Sequence, residues 1–276
     1  MRKSWQFPIL LVRAMKRYLT IIAMVLVLVA VAIPSGCQAP FQDRDVQDRA
    51  AIIDQLYIRE TNPAFIAGVA QMLESCGFTV DLWQGEEITV DFYRELPKLG
   101  YELIVFRVHS GLLLTLEESK VEPLENSYIF TGEVYTTTKY VSEQLTDKVA
   151  NALMAEDCPL VFAVNSEFIK ESKGKFDDTV IIAMGCESYY YDDMAIAFIE
   201  KGASVYVGWS TIVSLEYVDD VTLDLLANLC TENMTVAQGI AETMADLGHD
   251  PYFDAYLKYY PAESGSKKIV ELIRNK

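Results

Sequence analysis

Cys186 and His109 are the two side chains whose types and placement allow nucleophilic chemistry. Cys186 stands in Gly185-Cys186-Glu187-Ser188, directly after the apolar run Val180-Ile181-Ile182-Ala183-Met184. His109 stands in His109-Ser110-Gly111, directly after Tyr101-Glu102-Leu103-Ile104-Val105-Phe106-Arg107-Val108. A thiol becomes a strong nucleophile only as the thiolate, and a nearby imidazole can take its proton. Acyl transfer by such a pair also needs backbone N–H donors for the oxyanion. Glycines at 111 and 185 let backbone approach a substrate closely. The chain has two histidines, so the base for Cys186 is His109, His249 in Gly248-His249-Asp250-Pro251, or a carboxylate. A histidine and a cysteine near a sheet more often serve packing alone, so the elements that carry them decide their meaning.

Residues 180–184 and 204–209 read as short strands buried on both faces, because both are continuous apolar runs. The segment between them, 192–201, is helical and is followed by Gly202 as a C-terminal cap. Strand, helix and strand over some 30 residues form a parallel crossover, and such sheets carry their chemistry at the carboxyl ends of the strands. Cys186 and His109 both occupy such ends. Residues 50–57 open as either a helix or a strand. Asn62-Pro63 is the start signal of a helix that runs to Gly77. Residues 78–83 and 101–108 are further strands, and 91–99 is a short helix. Leu112 to Asp178 is a long insertion with a turn or hairpin at 128–133, a helix over 142–155, a strand at 160–164 and a charged loop at 170–175. Helices are expected at 215–229 and 236–247, before an aromatic tail that packs on the domain. There is no internal repeat. Asn233-Met234-Thr235 is an N-glycosylation sequon.

The composition, 276 residues with 51% hydrophobic, is enough for one sizeable core. The net charge of −17 understates the body's acidity, because the first 36 residues hold five basic side chains and no acidic one. Such acidity disfavours nucleic acid and anionic lipid, and favours cationic partners or a well-solvated surface. Residues 19–33, apolar apart from Thr20, are short for a spanning helix and match the apolar core of an export signal. Pro34-Ser35-Gly36 precedes Cys37, as in a lipoprotein signal whose cysteine is lipidated; an uncleaved membrane anchor is the alternative. Both place the body outside the cytoplasm, tethered to the cell membrane, with 37–48 as linker and 49–276 as the domain. The four other cysteines, Cys76, Cys158, Cys186 and Cys230, match no zinc spacing, which leaves room for one disulfide and suggests no metal site and no cofactor. Cys76 and Cys230 fall in apolar helical patterns and read as small buried hydrophobes.

The segment Ile182-Ala183-Met184-Gly185-Cys186-Glu187-Ser188, the strand Gly202-Ala203-Ser204-Val205-Tyr206-Val207-Gly208-Trp209 and the later Met234-Thr235-Val236-Ala237-Gln238-Gly239-Ile240 resemble cysteine peptidases of the caspase-haemoglobinase fold, those of the CHAT and gingipain type above all. The resemblance covers about residues 50–250. It implies an α/β three-layer sandwich, with a mostly parallel sheet between helices. It implies a cysteine endopeptidase acting on peptides or proteins, with Cys186 as nucleophile and His109 as base. The amide of Cys186, with that of Ser110 or Gly111, would make the oxyanion hole. Cleavage after basic residues, common in related peptidases, would place a carboxylate in the S1 pocket; Asp192, Asp193, Glu216 and Asp219 are the candidates. Two features depart from the family pattern. Ser110 stands where glycine usually follows the histidine, and the interval from His109 to Cys186 is long. The rival expectation is a non-catalytic surface binding lipoprotein on the same fold.

Overall fold

Continuous apolar runs become the inner strands of a parallel sheet, since strands covered on both faces cannot alternate with polar residues. The computed structural model describes residues 48–117 and 120–273, all within one structural unit. The export signal or anchor, with Cys37, lies outside the described residues. The main sheet is built from β1 (Arg49–Asp54), β2 (Thr79–Gln84), β3 (Leu103–Arg107), β8 (Thr179–Ala183), β9 (Ala203–Trp209) and β10 (Leu257–Tyr260). Its strand order is β10-β9-β8-β3-β1-β2. All neighbours run parallel except β10, which pairs antiparallel with β9 and closes that edge.

Helices cover both faces. On one face Ile52, Val105, Ile182 and Val207 pack against α1 (Pro63–Ser75), α6 (Leu215–Leu226) and α7 (Val236–Leu247) through Phe65, Leu73, Val221, Leu225 and Ile240. On the other, Ile53, Phe106, Ile181 and Tyr206 meet α2 (Val90–Glu95), α4 (Ser166–Glu171) and α5 (Asp193–Glu200) through Tyr93, Phe168, Met194 and Phe198. Each fully buried aliphatic or aromatic side chain stabilises the sheet–helix layer by roughly 1.5–3 kcal/mol. The start of α1 follows its local chemistry: Asn62 Oδ1 accepts the Phe65 amide at 3.1 Å, and Pro63 opens the helix.

The insertion is a second sheet. β4 (Ser110–Glu117), β5 (Lys120–Val134), β7 (Val161–Asn165) and β6 (Val149–Ala152) form an antiparallel sheet in the order β4-β5-β7-β6. Residues 128–133, expected as a turn or short hairpin, are the C-terminal part of β5. Gly132 sits in its register shift, where an added Cβ would come within 2.0 Å of the Gly85 carbonyl oxygen. The helix expected over 142–155 is a correction: only α3 (Val141–Gln144) is helical, and 149–152 is strand β6. Asp147 takes a left-handed backbone (φ 57°), which ends the helix, and the ladder to β7 then captures the next residues. The charged loop expected at 170–175 begins inside α4, whose bounds are Ser166–Glu171.

Candidate functional site

The register of the two central strands sets the site. β3 and β8 are parallel neighbours with Phe106 opposite Ala183, and continuing that register brings His109 level with Cys186. The two segments are then tied together. Ser110 Oγ donates to the Cys186 carbonyl oxygen at 2.5 Å. Gly185 permits that approach, because a Cβ there would lie 2.2 Å from Ser110 Oγ and 2.8 Å from the Val108 carbonyl oxygen.

His109 is held from both sides. Its amide donates to Oε1 of the fully buried Gln55 at 2.9 Å, and its carbonyl accepts the Phe130 amide at 2.9 Å. Gln55 Nε2 in turn donates to the Thr131 carbonyl at 3.2 Å, so the turn that follows β1 meets the second sheet at this residue. The Phe130 ring lies 6.0 Å from the imidazole, centre to centre. Burial holds the imidazole pKa below its ordinary value, against the pull of Glu60 and with help from Arg107 and Arg59.

Cys186 is half-buried, and its thiol donates to the Val213 carbonyl at 3.4 Å. Burial pushes the thiol pKa up; the Val213 bond and the residue's own amide work against that, and the charges of Glu187 and Asp250 add to it. The rest of the Cys-Glu-Ser segment is a fastening. Glu187 takes a left-handed backbone (φ 54°) and its amide donates to the Thr211 carbonyl at 3.0 Å. Ser188, buried, donates through Oγ to the Ala183 carbonyl and accepts the Trp209 amide, both at 2.9 Å. The Glu187 carboxylate accepts the Leu112 amide, linking the cysteine loop to β4.

The remaining candidates separate. Ser110 and Gly111 open β4, paired with Ile129 and Tyr128. Asp219 is buried, and its carboxylate takes Arg107 Nε at 2.7 Å, Arg107 Nη2 at 2.9 Å and Asn62 Nδ2 at 2.9 Å. Asp193 accepts the Ser127 amide at 2.9 Å and its hydroxyl at 2.8 Å, fastening α5 to β5. Asp192 and Glu216 are exposed. Glu216 lines an open cleft of about 310 Å³ with Glu60, Asn62, Arg107 and Asp220. A second cleft, about 360 Å³, has no charged lining and is walled by Gly111, Tyr128, Phe130, Ala150, Leu153 and Ala163. His249 is exposed, with Nδ1 2.8 Å from Asp254 Oδ1 and its ring stacked on Tyr256.

Arg107 is the residue that sequence reasoning passed over. It is fully buried and also donates through Nη1 to Asp54 Oδ1 and the Glu60 carbonyl, both at 2.9 Å. The signal was a single charge at the end of an otherwise apolar strand, for which two buried carboxylates are the answer. Among the described residues no group of three or more His, Cys, Asp or Glu is placed to hold a metal ion. No helix among them is long and apolar enough to cross a membrane. No protein-family model matches the chain, and no curated protein matches it.

Proposed function

We propose that the chain is a membrane-tethered, extracytoplasmic cysteine endopeptidase with a caspase-like three-layer sandwich, in which His109 and Cys186 act as a dyad. The observation that carries this reading is that both residues lie just beyond the ends of adjacent parallel strands, with the Ser110 hydroxyl bonded to the Cys186 carbonyl. The mostly parallel sheet between helices agrees with the fold expected from the Cys-Glu-Ser resemblance.

In the free protein the pair is neutral, since burial lowers the imidazole's affinity for a proton and raises the thiol's. For turnover the thiol leaves the Val213 carbonyl and donates to His109. Sγ then attacks the scissile carbonyl carbon as the imidazole takes the proton. The amides of Cys186 and of Ser110 or Gly111 receive the oxyanion. The imidazolium returns the proton to the leaving amine, and water activated by the same imidazole hydrolyses the thioester.

Substrate enters beside an acidic cleft. Asp219 and Asp193 are engaged with Arg107 and Ser127, so Glu216, with Glu60 and Asp220 around it, is the carboxylate set open to a basic substrate side chain. A panel of fluorogenic peptides checks this: turnover is expected to be best after Lys or Arg. Best turnover after an aromatic or aliphatic residue would assign the uncharged cleft beside Gly111 instead. The second reading is a non-catalytic binding lipoprotein, and the thiol's bond to the Val213 carbonyl favours it, because that bond keeps the sulfur off the imidazole. A folded wild type that cleaves no peptide would decide for that reading.

A further inference from the structure

Four cysteines fall among the described residues, and all four are free thiols. Three different partners account for them. Cys186 faces the Val213 carbonyl, and Cys158 Sγ lies 3.0 Å from Arg59 Nη1. Cys76 and Cys230 act on each other, the pair drawing the Cys76 thiol pKa down and pushing that of Cys230 up.

The pair sits at a junction of two helices. Cys76 is the C-cap of α1, with its amide bonded back to the Met72 and Leu73 carbonyls. Cys230 lies in the π-helical turn Ala227–Thr231 that follows α6. α1 and this turn are in direct contact, and both cysteines pack on the same core cluster. Both are partly exposed, so a soluble oxidant can reach them. Ser75 Oγ, 3.9 Å from Cys76 Sγ, adds a polar neighbour on the open side. The elements that carry the two sulfurs are in contact, which is the backbone placement a disulfide requires.

We propose that Cys76 and Cys230 form a disulfide under oxidising conditions, stapling the end of α1 to the turn after α6. The step needs an external disulfide, either a small-molecule disulfide or a thiol–disulfide oxidoreductase. Cys76, as thiolate, attacks one sulfur of that disulfide; a mixed disulfide forms and the oxidant's first thiolate leaves. Cys230 gives up its proton to solvent and attacks Cys76 Sγ. The protein S–S bond forms as the oxidant's second thiolate leaves, so two protein thiols are oxidised and one disulfide is reduced. The closed loop spans most of the domain, the case in which a cross-link restricts the unfolded chain most. The site is independent of the His109–Cys186 pair and of any peptidase activity.

The test uses the full chain, incubated with mixtures of oxidised and reduced glutathione and then trapped with a maleimide. The expected result is the joint loss of two labelling sites, a cross-linked peptide pair containing Cys76 and Cys230, and recovery of both sites with a reductant. Thermal unfolding should rise by about 5–10 °C on oxidation. Cys76→Ser and Cys230→Ser should each abolish the cross-link and the shift, whereas Cys158→Ser should keep both. Independent labelling of both cysteines across the whole oxidising range, or separate glutathione adducts on each without a cross-link, would overturn the proposal. These readings come from the wild type, so a variant that folds poorly does not weaken them.

Discussion

Cys186 and Cys76 pack against the same core cluster of the same sheet, yet their thiols are driven in opposite directions. At Cys186 burial dominates and raises the pKa, with Glu187 and Asp250 nearby to oppose a negative sulfur. At Cys76 the neighbouring thiol of Cys230 stabilises the thiolate and draws the pKa down to about 7. The proposed nucleophile is therefore the less acidic of the two. Acidity in the free protein marks a thiol that reacts with whatever arrives. On the proposed dyad reading, a thiol held neutral is released when a substrate displaces its bond to the Val213 carbonyl. A cysteine selected by general reactivity would be Cys76, whereas one selected by its place at a strand end is Cys186.

The largest effect expected from this contrast is on turnover. Cys186→Ala should abolish peptide cleavage and His109→Ala should cost on the order of 10²–10⁴ in kcat/KM. The double variant should be hardly worse, because the two act as a unit. Cys76→Ala and His249→Ala should change kcat/KM less than about twofold, the scatter expected where no step of the reaction is touched. Loss of cleavage in Cys76→Ala, or its survival in Cys186→Ala, would reverse the assignment of the two thiols. Peptide hydrolysis by the purified chain, with far-ultraviolet circular dichroism as a folding check, reads all four.

The next effect is on alkylation. At pH 7 iodoacetamide should modify Cys76 at least about tenfold faster than Cys186, following the fraction of thiolate. Raising the pH toward 9 should narrow the gap, since Cys76, about half ionised at pH 7, soon saturates while Cys186, with a pKa above its ordinary value, keeps gaining thiolate. The acid side of turnover has the opposite origin. The His109 pKa is depressed, so the base stays unprotonated, and kcat/KM should hold until the pH falls below about 6.5, the ordinary histidine value. An acid limb centred above that value would mean that the group titrating is not a buried imidazole. Peptide mapping of the alkylated chain and a pH–rate profile measure the two limbs separately.

The smallest effect is local. Ser110→Ala removes the hydroxyl that donates to the Cys186 carbonyl and should lower stability by about 1 kcal/mol. Alkylation of Cys186 should rise as its loop loosens, while that of Cys76 should not move. Equal changes at both sites would show that the substitution acts on the whole domain. Thermal unfolding followed by site-resolved labelling distinguishes these outcomes.

Much of this arrangement was legible in local patterns. The apolar runs before His109 and Cys186 are strands because a sheet covered on both faces needs uninterrupted apolar residues, and their ends are where the candidate pair sits. Asn62 before Pro63 announces a helix start through a bond that spans three residues. The helix expected over 142–155 was wrong beyond Gln144 because the later side chains also allow a helix. Strand β6 exists only because β7, nine to fifteen residues further on, offers it a ladder.

Sequence alone therefore located the apolar strands that end before His109 and Cys186, most of the helices and the acidity of the body. These depend on side-chain period, caps and composition, which a short window contains. Tertiary structure decided the partners. Asp219 was a candidate for substrate until the fold placed Arg107, 112 residues earlier, against its carboxylate. Cys186 aims at the Val213 carbonyl, and Cys76 meets Cys230, through contacts between segments far apart in the chain. Burial and proximity set the direction of every pKa shift at these sites, and both are properties of the packed molecule.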